Sequence, residues 1–541
     1  MTILSIPRDV FEKEIGKLDD KMQENIAMFS TPIEDIGDEI IEIEIFADRP
    51  DLLSYQNFKN SFLAFLGKKT GLREVKVNKP LENYKVVIDN SVQDIRPYTV
   101  CAIVKGLKFD DEKIKEIIDI QEKLHNSLGR KRKKVAIGIY PMEKIKLPIK
   151  FEARKPEEIK FQPLEFPREI NGRQILSQHP AGREYGNLMK GLDKYPIFVD
   201  SAGEVLSMPP IINSHKTGKI GYDTKDVFIE CSGFDFDVQM KVLNIICDSL
   251  NSMGGKIYSM DLDYGKKKIV TPDFNPDKVK VSIDNVNKLL GLELKESEVK
   301  DLLAKMGCEY NKGIVSVPAV RADVLHEVDL IEDVAIAYGY DKFIPEIPEV
   351  ATIGEIDKKE KLKSRIANVL IGLNMVETSS FHLTNKENQI KKPGLKNREI
   401  VEVMNSKTDY SVLRQDLTHY ILRILSENVD VEYPQDIFQL GRVFEGYSEH
   451  ENLVVSLTPG NFTRLKQILE YLSRMLELNL EIYEPEKISE YFIEGRVASI
   501  RYKGKEIGLL GDIHPRVLKN FKLKMPVSLF EIRLDEILEE G

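Results

Sequence analysis

Two groups of residues in this chain have the type and spacing to do chemistry. The first is acidic. Asp329, Glu332 and Asp333 stand at i, i+3 and i+4, which on a helix places their carboxylates on one face. Asp323 lies just ahead and can fold back toward them. Carboxylates this close repel, and a hard divalent cation relieves the repulsion. Magnesium takes oxygen ligands and keeps several waters, so a few carboxylates suffice. A solvated acidic face, favoured by the helix dipole near an N-terminus, fits the same spacing. The second group centres on Glu230, set inside the apolar run VFIECSG at 227–233. A carboxylate there is costly to bury unless hydrogen-bonded. Either an edge strand turns it to solvent or it lines a pocket.

The elements that must position these groups follow from periodicity. Val324, Val328, Ile331, Ala335 and Tyr338 recur at helical spacing, which predicts an amphipathic helix starting near 324. Pro318 holds its entry extended, and Gly339 is placed to end it in a left-handed cap. Around Glu230, Val205–Ser207 runs into Pro209-Pro210, which interrupts regular structure; Asn213 and Ser214 follow on a turn, and 227–233 reads as a strand. Upstream, 96–107 alternates as a strand, and Ile114, Ile117, Ile118 and Leu124 form a helical stripe. Arg130–Lys134 are five consecutive basic residues. They suit a solvated turn or a phosphate contact, each neutralised phosphate adding salt-sensitive affinity.

The chain opens with a strand and a helix ending at Gly16. A second strand precedes DRPDLLSYQNFKNSFLAFLG (48–67), a proline-pinned turn and a helix burying Leu52, Leu53, Phe58, Phe62 and Phe65. Segments 264–277 and 344–361 read as linkers. Between them the order is strand, helix, helix, strand and acidic helix. Beyond them, 401–429 reads as a strand, a turn at Asn405-Ser406 and a long helix, and 436–445 as another strand.

A chain of 541 residues exceeds one ordinary core. No stretch reaches 18 apolar residues, so no membrane span is expected. The N-terminus lacks the apolar stretch of a signal peptide. The four cysteines form no CxxC pair, which argues against zinc and a disulfide frame and suits a reducing cytoplasm. With a net charge of −10, a nucleic-acid partner has to meet a local basic patch.

The motifs then add a resemblance. R-x-D, five residues, D-L-I-E-D and a following GYD (321–341) resemble the metal-binding signature of phenylalanyl-tRNA synthetase beta subunits. In that family four acids bind magnesium, which by position implies Asp323, Asp329, Glu332 and Asp333. DRPDLLS resembles the family's NRPDLLS, with Ala47-Asp48 where Asn is common before the Arg. S-x-PPIIN and IECSG resemble its editing domain, which hydrolyses tyrosine wrongly attached to the tRNA. On motif position Ser207, Asn213, Glu230 and Ser232 line that pocket. Ser232 stands where Thr is usual, and Ile139-Tyr140-Pro141 replaces a common His-Asp loop. A pocket offering a buried acceptor such as Glu230 prefers tyrosine, because phenylalanine would leave it unpaired. Hydrolysis needs a positioned water and oxyanion donors. No Ser–His–Asp or Cys–His arrangement is visible, so the water falls to backbone groups and the tRNA. Segments 401–445 and 495–521 are similar to the second motif of class II synthetases and to the GRxA and IHP landmarks of the beta subunit. Arg414 is the one motif arginine, and no ATP-binding third motif follows.

The resemblance implies an α+β multidomain fold: an N-terminal α/β segment (1–84), an editing domain of mixed sheets and helices (85–268), a winged-helix-like module with the acidic magnesium-binding helix (269–345), and an inactive class II aminoacyl-tRNA synthetase-like antiparallel sheet domain (346–541). It matches the shorter archaeal form, without an oligonucleotide-binding insertion or an anticodon-binding extension. It implies a cytoplasmic beta subunit of phenylalanine–tRNA ligase. Two alpha and two beta chains assemble, the alpha chain uses ATP and phenylalanine, and tRNA(Phe) is bound and proofread. Two competing readings are a nucleic-acid-binding or regulatory paralogue without synthesis or editing, and a free-standing editing hydrolase.

Overall fold

The computed structural model describes residues 2–538 apart from Lys266 and Asn397, so Lys266 of the expected linker lies outside the described residues. The chain forms two compact units, Met1–Glu346 and Ile347–Gly541.

The first unit opens with a three-stranded antiparallel sheet in which Ile40–Ile45 lies between Thr2–Pro7 and Ile33–Ile36. Alternation places Ile41, Ile43 and Ile45 in the core. The DRPDLLS turn becomes a short 3-10 segment, Pro50–Leu52. Arg49 forks onto Asp51 at 3.0 and 2.8 Å. Ser54 caps the helix Tyr55–Phe65 by accepting from the Asn57 N–H, and that helix stacks Phe58 on Phe62 against Phe29.

The central sheet has eleven strands among the described residues. Its spatial order is Ile212–Asn213, Val205–Met208, Tyr195–Val199, Ile149–Arg154, Lys85–Ile88, Lys256–Asp263, Tyr98–Lys105, Val227–Gly233 and Val135–Pro141. Val77–Asn78 and Lys268–Thr271 also pair with Lys256–Asp263. The expected linker at 264–277 is therefore partly a strand, anchored where Thr271 Oγ1 donates to the Cys101 carbonyl at 2.6 Å. The two ends of the sheet meet: Tyr140 on the last strand lies 3.4 Å from Asn213 on the first. Helix Asp111–Asn126 packs Ile117, Ile120 and Leu124 into the core, while Ile118, expected on that stripe, is exposed.

The next module pairs Ile314–Val317 with Asp277–Lys280 and Glu309–Asn311, backed by helices Ile283–Leu290, Glu296–Lys305 and Glu327–Tyr338. The strand Glu309–Asn311 is additional to the expected order. The acidic helix begins at Glu327, three residues later than 324, because the Asp329 carboxylate caps it by accepting from the Leu325 and His326 N–H groups, both at 2.7 Å. The buried face includes Leu330, Ile331, Val334 and Ala335, so Ile331 and Ala335 of the expected stripe are buried while Val328, in the first turn, is exposed. Gly339 ends the helix at φ 101°, ψ 117°, positive in φ but outside the left-handed helical well.

The second unit is a seven-stranded sheet in the order Val376–Glu377, Ile437–Glu445, Ser448–Leu457, Ser528–Arg533, Lys505–Ile513, Phe492–Tyr502 and Leu480–Tyr483. Only the first pair is parallel. Helices Lys358–Gly372 and Phe462–Met475 pack on one core, Thr418–Glu427 on another. The strand expected from 401 shrinks to one bridge, Glu402 to Val412, since Val403 and Met404 face solvent and have nothing to pack on.

Candidate functional site

Glu230 sits mid-strand in Val227–Gly233, between Tyr98–Lys105 and Val135–Pro141, opposite Cys101 and Gly138. The strand is internal and the side chain 1% exposed, so the edge-strand alternative does not hold. Oε1 accepts from the Tyr140 hydroxyl at 3.1 Å; Oε2 is buried without a hydrogen-bond partner. Burial pushes this carboxyl up to about 8, against the pull of the Tyr140 hydrogen bond and the Arg96 charge. At neutral pH the group is chiefly the neutral acid.

Ser232 lies two residues on, facing the same side of the sheet. Its hydroxyl accepts from Arg96 Nε at 3.1 Å, and Arg96 Nη2 donates to the Ser232 carbonyl at 2.6 Å. Burial lowers the Arg96 guanidinium to about 10, and Glu230 opposes that shift. Arg96 is thus a buried cation set behind the serine. Ser207 pairs with Asn213 across neighbouring strands; its hydroxyl is buried without a partner. Of the four expected residues, Glu230 and Asn213 line the cavity where the ends of the sheet meet; Ser207 and Ser232 stand on the adjoining strands and are not among its lining residues.

Glu230 and Asn213 line a cavity of about 190 Å³. Its rim is built by Gln121, His125, Arg132 and the segment Pro209–Ile212. Gly138 opens the way across the last strand: a Cβ there would fall on Glu230 Oε1 and the Tyr140 hydroxyl. The free edge of that strand is closed by two side chains. Gln121 Nε2 donates to the Ile137 carbonyl at 3.1 Å, and the Ile137 N–H donates to His125 Nε2 at 2.9 Å. That bond puts the His125 proton on Nδ1, 3.2 Å from Glu122 Oε1, and burial lowers the imidazole below its usual range.

The basic run 130–134 divides. Arg130, Lys131 and Arg132 all adopt positive φ, 46°, 54° and 64°. This turns Arg132 inward: Nη1 donates to the Ile211 carbonyl at 2.9 Å and Nη2 to Glu122 at 3.0 Å, and the guanidinium stacks on Tyr185. Arg132 clasps the Pro-Pro loop over the cavity. Arg130 and Lys133 are left in solvent-facing positions.

The acids Asp323, Asp329, Glu332 and Asp333 are not drawn together as a set of four. Arg321 takes two of them: Nε and Nη2 reach Asp323 at 2.8 and 2.6 Å, Nη1 and Nη2 reach Asp333 at 3.0 and 3.1 Å. Asp329 caps the helix, and Glu332 faces solvent. The charge repulsion that a cation would relieve is met by a guanidinium. Among the described residues no group of three or more His, Cys, Asp or Glu is arranged to hold a metal, so this donor set does not fit magnesium as it stands. A larger cavity, about 880 Å³, lies beside Arg49, Arg73 and Arg321; those cations are already paired with Asp51, with Asp248, and with Asp323 and Asp333.

In the second unit Arg414 is 2% exposed and committed to the fold. Its Nε donates to the Arg442 carbonyl at 2.6 Å, and Nη1 to Ser380 Oγ at 2.9 Å. His514 caps the helix Pro515–Asn520. Glu531 takes four donors: the N–H groups of Leu417 and Thr418 at 2.9 Å, the Thr418 hydroxyl at 2.6 Å and Asn452 Nδ2 at 2.6 Å.

Sequence reading had no means to find Arg96, His125 or Gly138. Each acts across strands, and only Glu230's isolation in an apolar run signalled a polar pocket.

Comparisons with known proteins bear on both units. Residues 279–340 match the tRNA synthetase B5 domain and residues 344–534 the phenylalanyl tRNA synthetase beta chain CLM domain. These two modules place the chain among aminoacyl-tRNA synthetase components. It is 40% identical over 501 residues to the phenylalanine–tRNA ligase beta subunit of Pyrococcus horikoshii, covering 90% of this chain and 89% of that one. To the Archaeoglobus fulgidus beta subunit it is 36% identical over 551 residues and 100% of both chains. A crystal structure of an N-terminal fragment of the P. horikoshii beta subunit superposes with a TM-score of 0.59 at 38% identity, covering 62% of this chain and 99% of the fragment. The chain belongs to the phenylalanine–tRNA ligase beta-subunit family. No helix among the described residues is long and apolar enough to cross a membrane.

Proposed function

We propose that this chain assembles with a phenylalanine–tRNA ligase alpha chain, which carries ATP-dependent charging of tRNA(Phe), and that it hydrolyses Tyr-tRNA(Phe) at the Glu230 pocket. The observation that carries this reading is the carboxyl itself: 1% exposed, one oxygen unpartnered, at the wall of a cavity of about 190 Å³. An orphaned buried polar atom is costly, roughly 1–3 kcal/mol, and a ligand hydroxyl in the cavity relieves that cost. Tyrosine brings such a hydroxyl and phenylalanine does not, so the pocket discriminates by what it leaves unpaired.

The roles follow. As a neutral acid, Glu230 donates to the phenol oxygen or accepts from it. Arg96 keeps a positive charge behind Ser232, which favours ionisation of Glu230 without outweighing its burial. Arg132 holds the Pro209–Ile212 wall shut around the ring. Water attacks the ester carbonyl, the bond to the tRNA ribose oxygen breaks, and tyrosine and free tRNA leave. No step is assigned to a metal at 323–333, where Arg321 holds the carboxylates.

The test is deacylation of Tyr-tRNA(Phe) by this chain co-expressed with a candidate alpha chain, wild type against Glu230→Ala. Fast hydrolysis weakened by the substitution is the expected result. A complex that charges phenylalanine but leaves Tyr-tRNA intact keeps the subunit reading and removes the editing one. Absence of any complex favours the regulatory paralogue.

A further inference from the structure

One side chain touches the heart of this pocket without belonging to the expected set. Tyr140 is fully buried, its ring stacked on Phe228 at 5.8 Å. It lies back along its own strand over Gly138, where any side chain would collide with the phenol. Its hydroxyl donates to Glu230 Oε1 at 3.1 Å and lies 3.4 Å from Asn213 Oδ1; Ser207 faces the same phenol. Three of the four pocket residues therefore gather round one resident hydroxyl.

We propose that Tyr140 is a specificity-positioning residue: its hydroxyl holds Oε1 of Glu230 so that Oε2 alone meets a ligand, and the cavity reads a single phenolic hydroxyl. This rests on the editing reading above and deepens it. The geometry supplies the argument. A carboxyl with both oxygens free can rotate and meet a hydroxyl in more than one place. Here one oxygen is tied and the other is buried without a hydrogen-bond partner, on a residue that lines the cavity. Tyr140 itself does not line that cavity, so it acts through Glu230. A neutral acid bound by a phenolic O–H at Oε1 carries its own proton on Oε2, aimed outward. The other groups facing this carboxyl are Arg96, Ser232 and the Cys101 thiol, with Arg132, Glu122 and His125 around the cavity.

The test is a double-mutant cycle of Tyr140→Phe with Glu230→Gln in the assembled complex, each variant first shown by its melting temperature to be folded. Tyr140→Phe is expected to lower kcat/KM for Tyr-tRNA(Phe) about tenfold, mainly through KM, with Phe-tRNA(Phe) hydrolysis unchanged. In the Glu230→Gln background it should add nothing. An equal loss on both substrates, an unchanged ratio, or a full effect without Glu230 overturns the proposal. A second readout does not need activity. The carboxylic acid C=O stretch of Glu230, assigned by its loss in Glu230→Gln, should titrate at higher pH in Tyr140→Phe, because a hydrogen bond to the ionised form is gone. If the wild-type complex does not deacylate Tyr-tRNA, the editing reading fails and the infrared titration still decides the positioning role. A shifted midpoint supports it; an unshifted one overturns it.

Discussion

Glu230 in the first unit and Glu531 in the second are both carboxyls set in strands, and burial raises both above the ordinary range. They are used in opposite ways. Glu531 accepts from four donors and fixes the N-terminus of helix Thr418–Glu427. Glu230 accepts from one hydroxyl and keeps the other oxygen bare beside a cavity. A carboxyl whose acceptor sites are filled holds structure together. One left half-satisfied costs stability and is poised for a ligand. Under the proposed function, the contrast separates a part of the chain with a chemical task from a part whose polar groups, Arg414 included, serve the fold.

The comparison breaks most clearly in stability. Glu531→Ala strands two helix N–H groups, and at roughly 1–3 kcal/mol for each buried donor left unpaired it should cost about 3 kcal/mol. Urea unfolding of the full chain, with hydrogen exchange at 418–427, reads this; an unchanged midpoint removes the structural role. Glu230→Ala should do the reverse. Tyr-tRNA hydrolysis falls about a hundredfold, equivalent to ~2.7 kcal/mol, while the unfolding midpoint at neutral pH does not fall, because a half-satisfied buried acid costs stability there.

Acidity sharpens the difference. Glu230 titrates near 8 in the folded chain and near the ordinary carboxylate value, about 4.3, when unfolded. Between these values the folded state binds the extra proton, so stability from this group is complete below about pH 4 and is lost as pH rises toward 8. Glu230→Gln should remove that part of the slope of stability against pH; an identical slope in the variant would count against the burial argument. The smallest effect belongs to a third acid used in Glu531's manner. Asp329→Ala loses a helix cap and should cost about 1 kcal/mol, seen as a lower urea midpoint. Magnesium should leave the melting temperature of the wild type unchanged while Arg321 holds Asp323 and Asp333.

Much of the pocket was legible because its signal was local. Glu230 stands out in an apolar run, and Pro209-Pro210 with Asn213 marks an interrupted turn. The partners were not legible. Arg96 lies 136 residues from Ser232 along the chain, and nothing in its neighbourhood singles it out. The acidic helix is ambiguous in sequence for a physical reason. Carboxylates at i, i+3 and i+4 look alike whether a cation, a guanidinium or helix N–H groups neutralise them, and here Arg321 and the cap share the task. Val328, expected on the buried stripe, falls in the exposed first turn of the helix. In the second unit the segment from 401 to the turn at Asn405-Ser406 reads as a strand by composition, yet packing decides strands, and the side chains of Val403 and Met404 face solvent.

The closing of the last strand's edge by His125 and Gln121 has one more consequence. Val135–Pro141 is apolar throughout, and its outer edge would otherwise show bare N–H and C=O groups to passing chains. Such an edge is a template for self-assembly. The two side chains that rim the cavity therefore also act as gatekeepers against aggregation. Losing them should show first as turbidity in a concentrated preparation, before any change in chemistry.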